Sequence, residues 1–365
     1  MDQLPIELIH YILYDPVINN NWITIKKCYT TSKIFQVLNK RELSILSNTN
    51  KGYIHCITVG NHKAFQRCQI NDKYNAFLFS CIYGRLTTVE WLINKYPDIN
   101  IHADKEYAFK MSCKYGHINI VKWLIKYGNL IGLPVDIHIN KEHAFQYSCA
   151  NGHINIVQWL IKYGNSIGSP IDIHANNEEA LICSCENGHI HIAQLLIEYA
   201  NMKESPINIH ADNENAFNQS CANGRIHIVQ WLIEYAKMIG SPINIHANND
   251  FAFRMSCEFE HVGMMQWLVE YGNSIGSPID IHANNEYVFI QSCYNGRLKI
   301  TQWLIEYGNS IGSPIDIHVD KERAFKCSCR RGYFIIVKWL IENFDGFDTT
   351  QFNVNELDIY NKYKK

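Results

Sequence analysis

The residues best suited to chemistry recur at a nearly constant interval of 36 positions. The histidines are His102, His138, His174, His210, His246, His282 and His318, and the cysteines are Cys81, Cys113, Cys149, Cys185, Cys221, Cys257, Cys293 and Cys329. Such rows suggest a metal site or a redox site. Equivalent positions in stacked helices, however, lie about 8–10 Å apart, whereas zinc ligands lie about 2.0–2.3 Å from one ion and disulfides need Cα atoms within about 7 Å. We therefore expect no metal site and no cofactor, with histidines hydrogen-bonded locally and thiols acting as small apolar side chains.

A second set of candidates is three serines in the sequence Gly-x-Ser-x-Gly, namely Ser166, Ser274 and Ser310. This is the sequence of the nucleophile elbow of serine hydrolases, which requires a strand before the serine and a helix after it. Each serine here instead follows a helical pattern and leads into a loop that contains proline. The sequence therefore favours a protein that is not an enzyme, with a hydrolase as the alternative.

The elements that carry these residues form one repeated unit, and we number the repeats 1 to 8 from Cys81 to Cys329. In repeat 3, Asn140 is predicted to cap a first helix, with an acid two residues later interacting favourably with the helix dipole. Gly152 is predicted to end this helix in a left-handed conformation. The second helix, at residues 154–163, is apolar on most sides and must be covered by neighbouring repeats. The predicted capping residues are Asp72, Asp104, Asn140, Asn176, Asp212, Asn248, Asn284 and Asp320.

The segment Asn151-Gly152-His153-Ile154-Asn155-Ile156-Val157 resembles the link between the two helices of ankyrin repeats. The pair Ala144-Phe145 stands where that family usually has Thr-Pro-Leu-His. The resemblance extends over about residues 72–344 and implies an all-α, ankyrin-type helix-turn-helix solenoid with short finger loops. The abundance of Asn, Ile, Lys and Tyr also resembles the ankyrin repeat proteins of giant DNA viruses of amoebae, which are mimivirus-like.

Residues 1–50 do not carry the repeat, and two interpretations of them stay open. One is a plain helical cap, which the first repeat needs because its apolar flank must be covered. The other is a degenerate F-box, a module that in its family docks onto a Skp1-type adaptor of a cullin ubiquitin ligase. The adaptor-binding residues implied by that resemblance are Leu4, Pro5, Leu8 and Ile12. We predict a degenerate repeat or linker at residues 51–71 and a C-terminal cap and tail at residues 345–365.

The charge of the chain is nearly balanced, with 33 Lys plus Arg against 35 Asp plus Glu. This balance does not favour attraction to phosphate backbones or anionic lipid. No apolar stretch approaches the roughly 20 residues of a membrane span, and the first residues lack the pattern of a secretory signal. We therefore expect a cytoplasmic monomer without nucleic acid or membrane partners, in the host cell cytoplasm if the viral resemblance holds.

Comparison of the repeats with one another predicts a surface for a protein partner. Framework positions hardly change, whereas first-helix positions near the Ser-Cys pair vary and include Met, Arg and aromatic types that anchor interfaces. In ankyrin repeat proteins this helix and the fingers line the concave side, so the resemblance implies a groove there. The predicted partner-binding residues are Lys110, Met111, Tyr115, Tyr147, Arg254, Met255, Phe259, Tyr294, Arg330 and Arg331. Drift of positions that contact nothing is the alternative explanation.

Overall fold

The computed structural model describes residues 52–68, 70 and 72–364, so the predicted F-box segment lies outside the described residues. Every regular element in the described part is a helix, which confirms the predicted all-α class. None of these helices is long and apolar enough to cross a membrane, since the longest have 13 residues. The chain divides into two compact bodies, residues 1–100 and 101–365.

The first body contains α1 (Gly52–Val59), α2 (His62–Phe65), α3 (Lys73–Ile82) and α4 (Leu86–Lys95). Helix α1 packs against α2 and α3, and α3 packs against α4. The Arg85 side chain, just before α4, donates to the carbonyl oxygens of Ile57 at 2.8 Å and Thr58 at 2.6 Å. These bonds join the helix pair at residues 52–68 to repeat 1.

The second body contains the helix pairs of repeats 2 to 8. The first helices are α5 (Ala103–Lys114), α7 (Ile139–Ala150), α9 (Ala175–Glu186), α11 (Ala211–Ala222), α13 (Ala247–Glu258), α15 (Ala283–Tyr294) and α17 (Val319–Arg331). The second helices are α6 (Ile118–Leu130), α8 (Ile154–Ser166), α10 (Ile190–Met202), α12 (Ile226–Met238), α14 (Val262–Ser274), α16 (Leu298–Ser310) and α18 (Phe334–Asn343). Each first helix packs on the next first helix and on the second helix of its own repeat. The predicted helix-turn-helix solenoid is therefore confirmed.

The core of the second body lies between these two layers of helices. In repeat 3, Phe145 of α7 and both Val157 and Leu160 of α8 are fully buried. Complete burial of such a side chain stabilises the fold by roughly 1.5–3 kcal/mol. Because each repeat buries its apolar sides against both neighbours, the stack is stable where a single repeat is not.

The predicted helix caps are wrong for repeats 2 to 8. Asp72 of repeat 1 does cap its helix, because its Oδ1 accepts the Asn75 backbone N–H at 2.9 Å. In repeat 3, however, Asn140, Lys141 and Glu142 all have left-handed backbone angles, with φ of 54°, 57° and 67°. Left-handed backbone costs an L-residue about 1–2 kcal/mol, so this turn needs compensating contacts. The same correction applies to Asp104, Asn176, Asp212, Asn248, Asn284 and Asp320.

The residues after α18 cover the flank of repeat 8. They form a 3₁₀ turn (Thr349–Gln351) and α19 (Val354–Tyr363). The ring of Phe352 stacks on Phe325 of α17 with centroids 4.6 Å apart, and the ring of Tyr360 meets Phe325 edge-on at 6.0 Å. These rings occupy the side of α17 that the next first helix covers in the other repeats.

Candidate binding surface

A buried Ser-Cys pair fixes the rotation of each first helix. In α7, Ser148 Oγ donates to the Ala144 carbonyl oxygen at 2.9 Å, and both Ser148 and Cys149 are fully buried. Burial raises the pKa of the Cys149 thiol, and it raises the pKa of Cys183 to about 12. With the pair facing the core, helical geometry directs the positions numbered −6, −2, +1 and +2 from the cysteine to the opposite side. We call these positions the first-helix face.

A histidine and an acid hold the finger loop before each first helix. In repeat 3, His138 Nδ1 lies 2.6 Å from Glu142 Oε1, and the same oxygen accepts the backbone N–H of Asp172 in the next finger at 3.1 Å. Hydrogen bonds to charged groups contribute roughly 1.5–3 kcal/mol, which offsets the left-handed turn. The predicted local hydrogen bonding of the histidine row is confirmed. The other acids that reach the next finger are Glu106, Glu178, Glu214, Glu286 and Glu322.

Repeat 6 departs from this pattern because its acid is aspartate. Asp250 Oδ1 lies 2.5 Å from His246 Nδ1, but its side chain is one methylene shorter than glutamate. Among the described residues, the backbone N–H of Asp280 makes no bond to Asp250. The junction between repeats 6 and 7 therefore lacks a link that the neighbouring junctions have.

A serine extends the histidine–acid pair into a chain of three residues. Ser169 Oγ lies 2.9 Å from His138 Nε2, so Ser169, His138 and Glu142 show the order of contacts found in serine hydrolases. The Ser169 backbone N–H, which would help to stabilise an oxyanion, is already bonded to the Gly164 carbonyl oxygen at 2.9 Å. The chain therefore links consecutive fingers. Sequence analysis missed it, although five of the seven histidines have a serine 31 residues later, which was an available signal.

The serines of the Gly-x-Ser-x-Gly segments lie elsewhere. Ser166, Ser274 and Ser310 are the last residues of α8, α14 and α16. Each Oγ donates to the carbonyl oxygen of the tyrosine three residues earlier at 2.7 Å. These hydroxyls follow a helix and bond to the backbone, so they have neither the elbow geometry nor a histidine partner among the described residues.

The start of each second helix rests on the turn of the preceding repeat. His153 Nε2 lies 2.9 Å from the Lys114 carbonyl oxygen, and its ring covers Gly116, whose φ is 80°. A Cβ at Gly116 would lie 2.6 Å from that ring, so the close approach requires glycine. In repeat 6, Glu260 takes the place of the glycine with φ of 63°, and Arg297 replaces the histidine and pairs with it at 3.0 Å.

Eight of the ten predicted partner-binding residues reach the surface, and two do not. Tyr115 and Phe259 are 47% and 53% exposed, respectively. Lys110 and Met111 are buried at 7% and 6% exposure, so a partner cannot reach them. Lys110 stands at position −3, outside the first-helix face, and its ammonium lies 5.8 Å from the centre of the Tyr107 ring. The residues at the surface are Tyr115, Tyr147, Arg254, Met255, Phe259, Tyr294, Arg330 and Arg331.

Cation–π contacts join these residues across neighbouring repeats. The Arg331 guanidinium lies 4.1 Å from the centre of the Tyr294 ring and also donates to the Tyr294 hydroxyl. The Arg254 guanidinium lies 5.7 Å from the centre of the Tyr287 ring. Each such contact contributes roughly 0.5–1 kcal/mol at an exposed site. The side chains of adjacent first helices therefore form one continuous surface.

Sequence analysis missed position −6, which lies two helical turns before the variable position +1 on the same face. Its interval of seven residues from position +1 was the available signal. In repeats 2 to 8 it holds Tyr107, His143, Glu179, Asn215, Phe251, Tyr287 and Arg323.

The tryptophan row lies on the second helices. Trp159 stacks on Tyr163 with ring centroids 5.0 Å apart and an interplanar angle of 8°, and both rings are half-buried. The Tyr163 hydroxyl also accepts a hydrogen bond from Asn129 Nδ2 of the preceding repeat at 3.4 Å. This places the tryptophan in packing between neighbouring side chains of the second helices. The outer side of the second helices varies less than the first-helix face. In repeats 2 to 8, the position before the tryptophan row holds only Lys or Gln and the position three residues after it holds only Lys or Glu, whereas the second residue of the helix ranges from Asn155 to Ile335.

No group of three or more His, Cys, Asp or Glu side chains in the described part of the chain is placed to hold a metal ion. A family model described as ankyrin repeats (3 copies) matches residues 76–170, 129–206 and 145–246. None of the curated proteins compared with the chain matches it.

Proposed function

We propose, from the premise that residues 76–246 form ankyrin repeats, that the chain is a non-catalytic scaffold that binds a partner protein along its first-helix face. Ankyrin repeats are protein-interaction scaffolds, and the proposal assigns the interaction to one side of the second body. The observation that carries it is the contrast between the first-helix face, which varies and includes exposed aromatic and arginine side chains, and the outer side of the second helices, which varies less and is mainly Lys, Gln and Glu. Half-exposed aromatic and arginine side chains on that face are the types that dominate binding energy at interfaces.

The test compares two triple variants of the full chain, expressed with an affinity tag in cells. The first is Phe259→Ala/Tyr294→Ala/Arg331→Ala on the first-helix face. The second is Lys162→Ala/Glu234→Ala/Glu306→Ala at exposed positions of the second helices. We expect the first variant to lower the recovery of the major co-purified protein at least tenfold, because hot-spot side chains contribute about 2 kcal/mol or more each.

The second variant should recover that protein as the unchanged chain does. Thermal unfolding of both variants verifies that they fold. Equal recovery with the two variants would contradict the assignment of binding to the first-helix face.

We further propose a narrower version in which the N-terminal segment is an F-box that makes the chain a substrate adaptor for a cullin-type ubiquitin ligase. Its support is the sequence at Leu4, Pro5, Leu8 and Ile12, which lie outside the described residues. The measurement is a pull-down with a Skp1-type protein and the variant Leu4→Ala/Pro5→Ala/Leu8→Ala. Unchanged binding by this variant would refute the adaptor version and leave the scaffold proposal intact.

The scaffold is proposed to act as a cytoplasmic monomer, in the host cytoplasm if the resemblance to giant virus proteins reflects the origin of the chain. The near-neutral charge supports this proposal, because it gives the chain no electrostatic attraction to membrane or nucleic acid surfaces. Light scattering on the purified chain measures the oligomeric state, and a mass twice that of one chain would contradict the monomer.

A further inference from the structure

Two positions of the first-helix face reverse their charge between repeat 4 and repeat 8. Positions −6 and +1 hold Glu179 and Glu186 in repeat 4, and they hold Arg323 and Arg330 in repeat 8. All four side chains are half-buried or exposed. Because successive first helices pack side by side through the second body, the acidic pair and the basic pair lie at two ends of one track.

The carboxylates of the acidic end form no ion pair among the described residues. Burial raises the pKa of Glu179, and the nearby carboxylates of Glu186 and Asp212 raise it further, while His143 opposes them. The ion pairs of the described residues include neither Glu179 nor Glu186. A cationic side chain placed here would relieve the mutual repulsion of these carboxylates.

The basic end retains positive charge after its internal pairs are formed. Arg323 pairs with Asp320 at 2.9 Å and is 56% exposed, and Arg330 pairs with Glu356 at 3.0 Å and is 62% exposed. Lys326 and Arg331 add two cations beside them, so four cations face two carboxylates. Guanidinium groups bind carboxylates in a bidentate geometry, which suits an acidic side chain of a partner.

Between the two ends the same positions become aromatic. Phe251 and Tyr287 hold position −6 in repeats 6 and 7, and Tyr294 holds position +1 in repeat 7. Phe259 at position +2 is 53% exposed. Glu258 at position +1 extends the acidic part as far as repeat 6. From repeat 4 to repeat 8, with the uncharged Asn215 and Ala222 in repeat 5, the track therefore changes from acidic through aromatic to basic.

From this order we propose that the partner segment is an extended peptide with basic side chains over repeat 4, apolar side chains over repeats 6 and 7, and acidic side chains over repeat 8. This inference rests on the proposed function and specifies the partner. Packed helices lie about 8–10 Å apart, and an extended chain advances about 3.3 Å per residue, so four repeat steps correspond to roughly 10–12 residues. A nucleic acid strand fits the track poorly, because its phosphates would be repelled by the acidic end.

The test selects random 12-residue peptides, displayed on phage, against the purified full chain at low salt. We expect the enriched peptides to carry Lys or Arg in one half and Asp or Glu in the other. Binding of the best peptide, measured by fluorescence anisotropy, should weaken at least tenfold in the variant Glu179→Lys/Glu186→Lys. The same variant should bind a peptide with acidic residues at both ends more tightly than the unchanged chain does.

The matched control is Glu198→Lys/Glu234→Lys, which changes the net charge equally at exposed positions of the second helices. Unfolding curves establish that both variants fold, and Glu179→Gln/Glu186→Gln removes the charge with little change in size. Enrichment without segregated charge, no enrichment, or equal weakening by the control would overturn the inference. If partner recovery still depends on Phe259, Tyr294 and Arg331 in that case, the scaffold proposal stands and the charge order alone is refuted.

Discussion

Single histidines in this chain have two different environments. Those of the finger loops bond to an acid, whereas His153 and His189, at the start of second helices, contact a backbone carbonyl. His189 belongs to the second kind, with Nε2 at 3.2 Å from the Ala150 carbonyl oxygen. Burial lowers the pKa of His189, and the positive charges of His153 and Arg225 lower it further, although the hydrogen bond to Ala150 opposes them.

Lowering the pH should therefore destabilise the second body through His189. The unfolded chain binds a proton at this histidine near its ordinary pKa of about 6.5, whereas the folded chain binds it only at lower pH. The free energy of unfolding is then fully retained above about pH 6.5 and falls as the pH drops through the folded pKa. Denaturant unfolding between pH 7.5 and 5.0 measures this dependence, which should be weaker in His189→Gln. Identical pH profiles for the two proteins would contradict the assignment.

The incorrect prediction of the helix caps shows that a residue preference alone does not distinguish a helix cap from a left-handed turn. Asn and Asp favour the cap position of a helix, and they are also the non-glycine residues that most readily adopt left-handed backbone. At Asn140 the two outcomes therefore have the same sequence signature. The left-handed turn is stabilised by the contact of His138 with Glu142, which has a counterpart in repeat 6. Outside repeat 6 it is also stabilised by a bond to the acid from a backbone N–H about 30 residues later, here that of Asp172, which is not a local signal.

Among the elements, the turn between the two helices of a repeat was predictable because its requirement is local. Gly152 has φ of 77°, as its position at the end of the first helix predicted. The ring of His189 that covers it belongs to the next repeat, so the close contact was not predictable from the turn alone. A Cβ at Gly152 would lie 2.6 Å from that ring.

A comparison of two glycines with similar backbone angles separates the energetic cost of left-handed backbone from the cost of the close contact with the His189 ring. Gly168 has φ of 72°, and a Cβ there would meet no heavy atom within 4 Å. Gly168→Ala should lower the free energy of unfolding by about 1–2 kcal/mol through backbone strain alone. Gly152→Ala should lower it by more, because His189 must also move. Urea unfolding measures both variants, and losses of the same size would show that the contact with His189 has no energetic weight.

For the whole second body, the junction between repeats 6 and 7 differs from its neighbours. Asp250 makes no bond to the next finger, and Glu260 adopts a left-handed conformation, with φ of 63°, that glycine adopts elsewhere. At the same junction, the buried Arg297 Nε has no hydrogen-bond partner among the described residues. We expect the stack of repeats to unfold first at this junction, because local unfolding begins in the regions with the fewest stabilising contacts.

Restoring the longer acid should strengthen this junction. Asp250→Glu allows the carboxylate to reach the Asp280 N–H and should stabilise the second body by about 1.5–3 kcal/mol, the range for hydrogen bonds to charged groups. Hydrogen exchange at the Asp280 amide should slow in this variant. The reciprocal change Glu214→Asp should speed exchange at the Asn244 amide, which Glu214 now accepts at 3.1 Å. Unchanged exchange at both amides would show that the acid length does not set the strength of a junction.

The solenoid could be predicted from the sequence because the same spacing of cysteine, glycine and apolar residues recurs from repeat to repeat. The candidate binding surface was only partly predictable, since Lys110 and Met111 vary between repeats as surface residues do and yet are buried. The opposite charges of Glu179 and Arg323 became comparable only after the helix rotation was known. Variation between repeats indicates which face of the first helices could bind a partner. Burial determines which residues of that face a partner can reach.

The bonds between fingers also affect how such a chain can evolve. Each acid that bonds to the next finger accepts a backbone N–H from the repeat that follows it. It requires nothing else from that repeat, and every residue except proline supplies a backbone N–H. Gain or loss of a whole block of 36 residues therefore preserves a matched donor and acceptor on both sides of the splice. Gene duplication can thus lengthen or shorten the track in whole steps and adapt its reach to a longer or shorter ligand without new contacts in the framework.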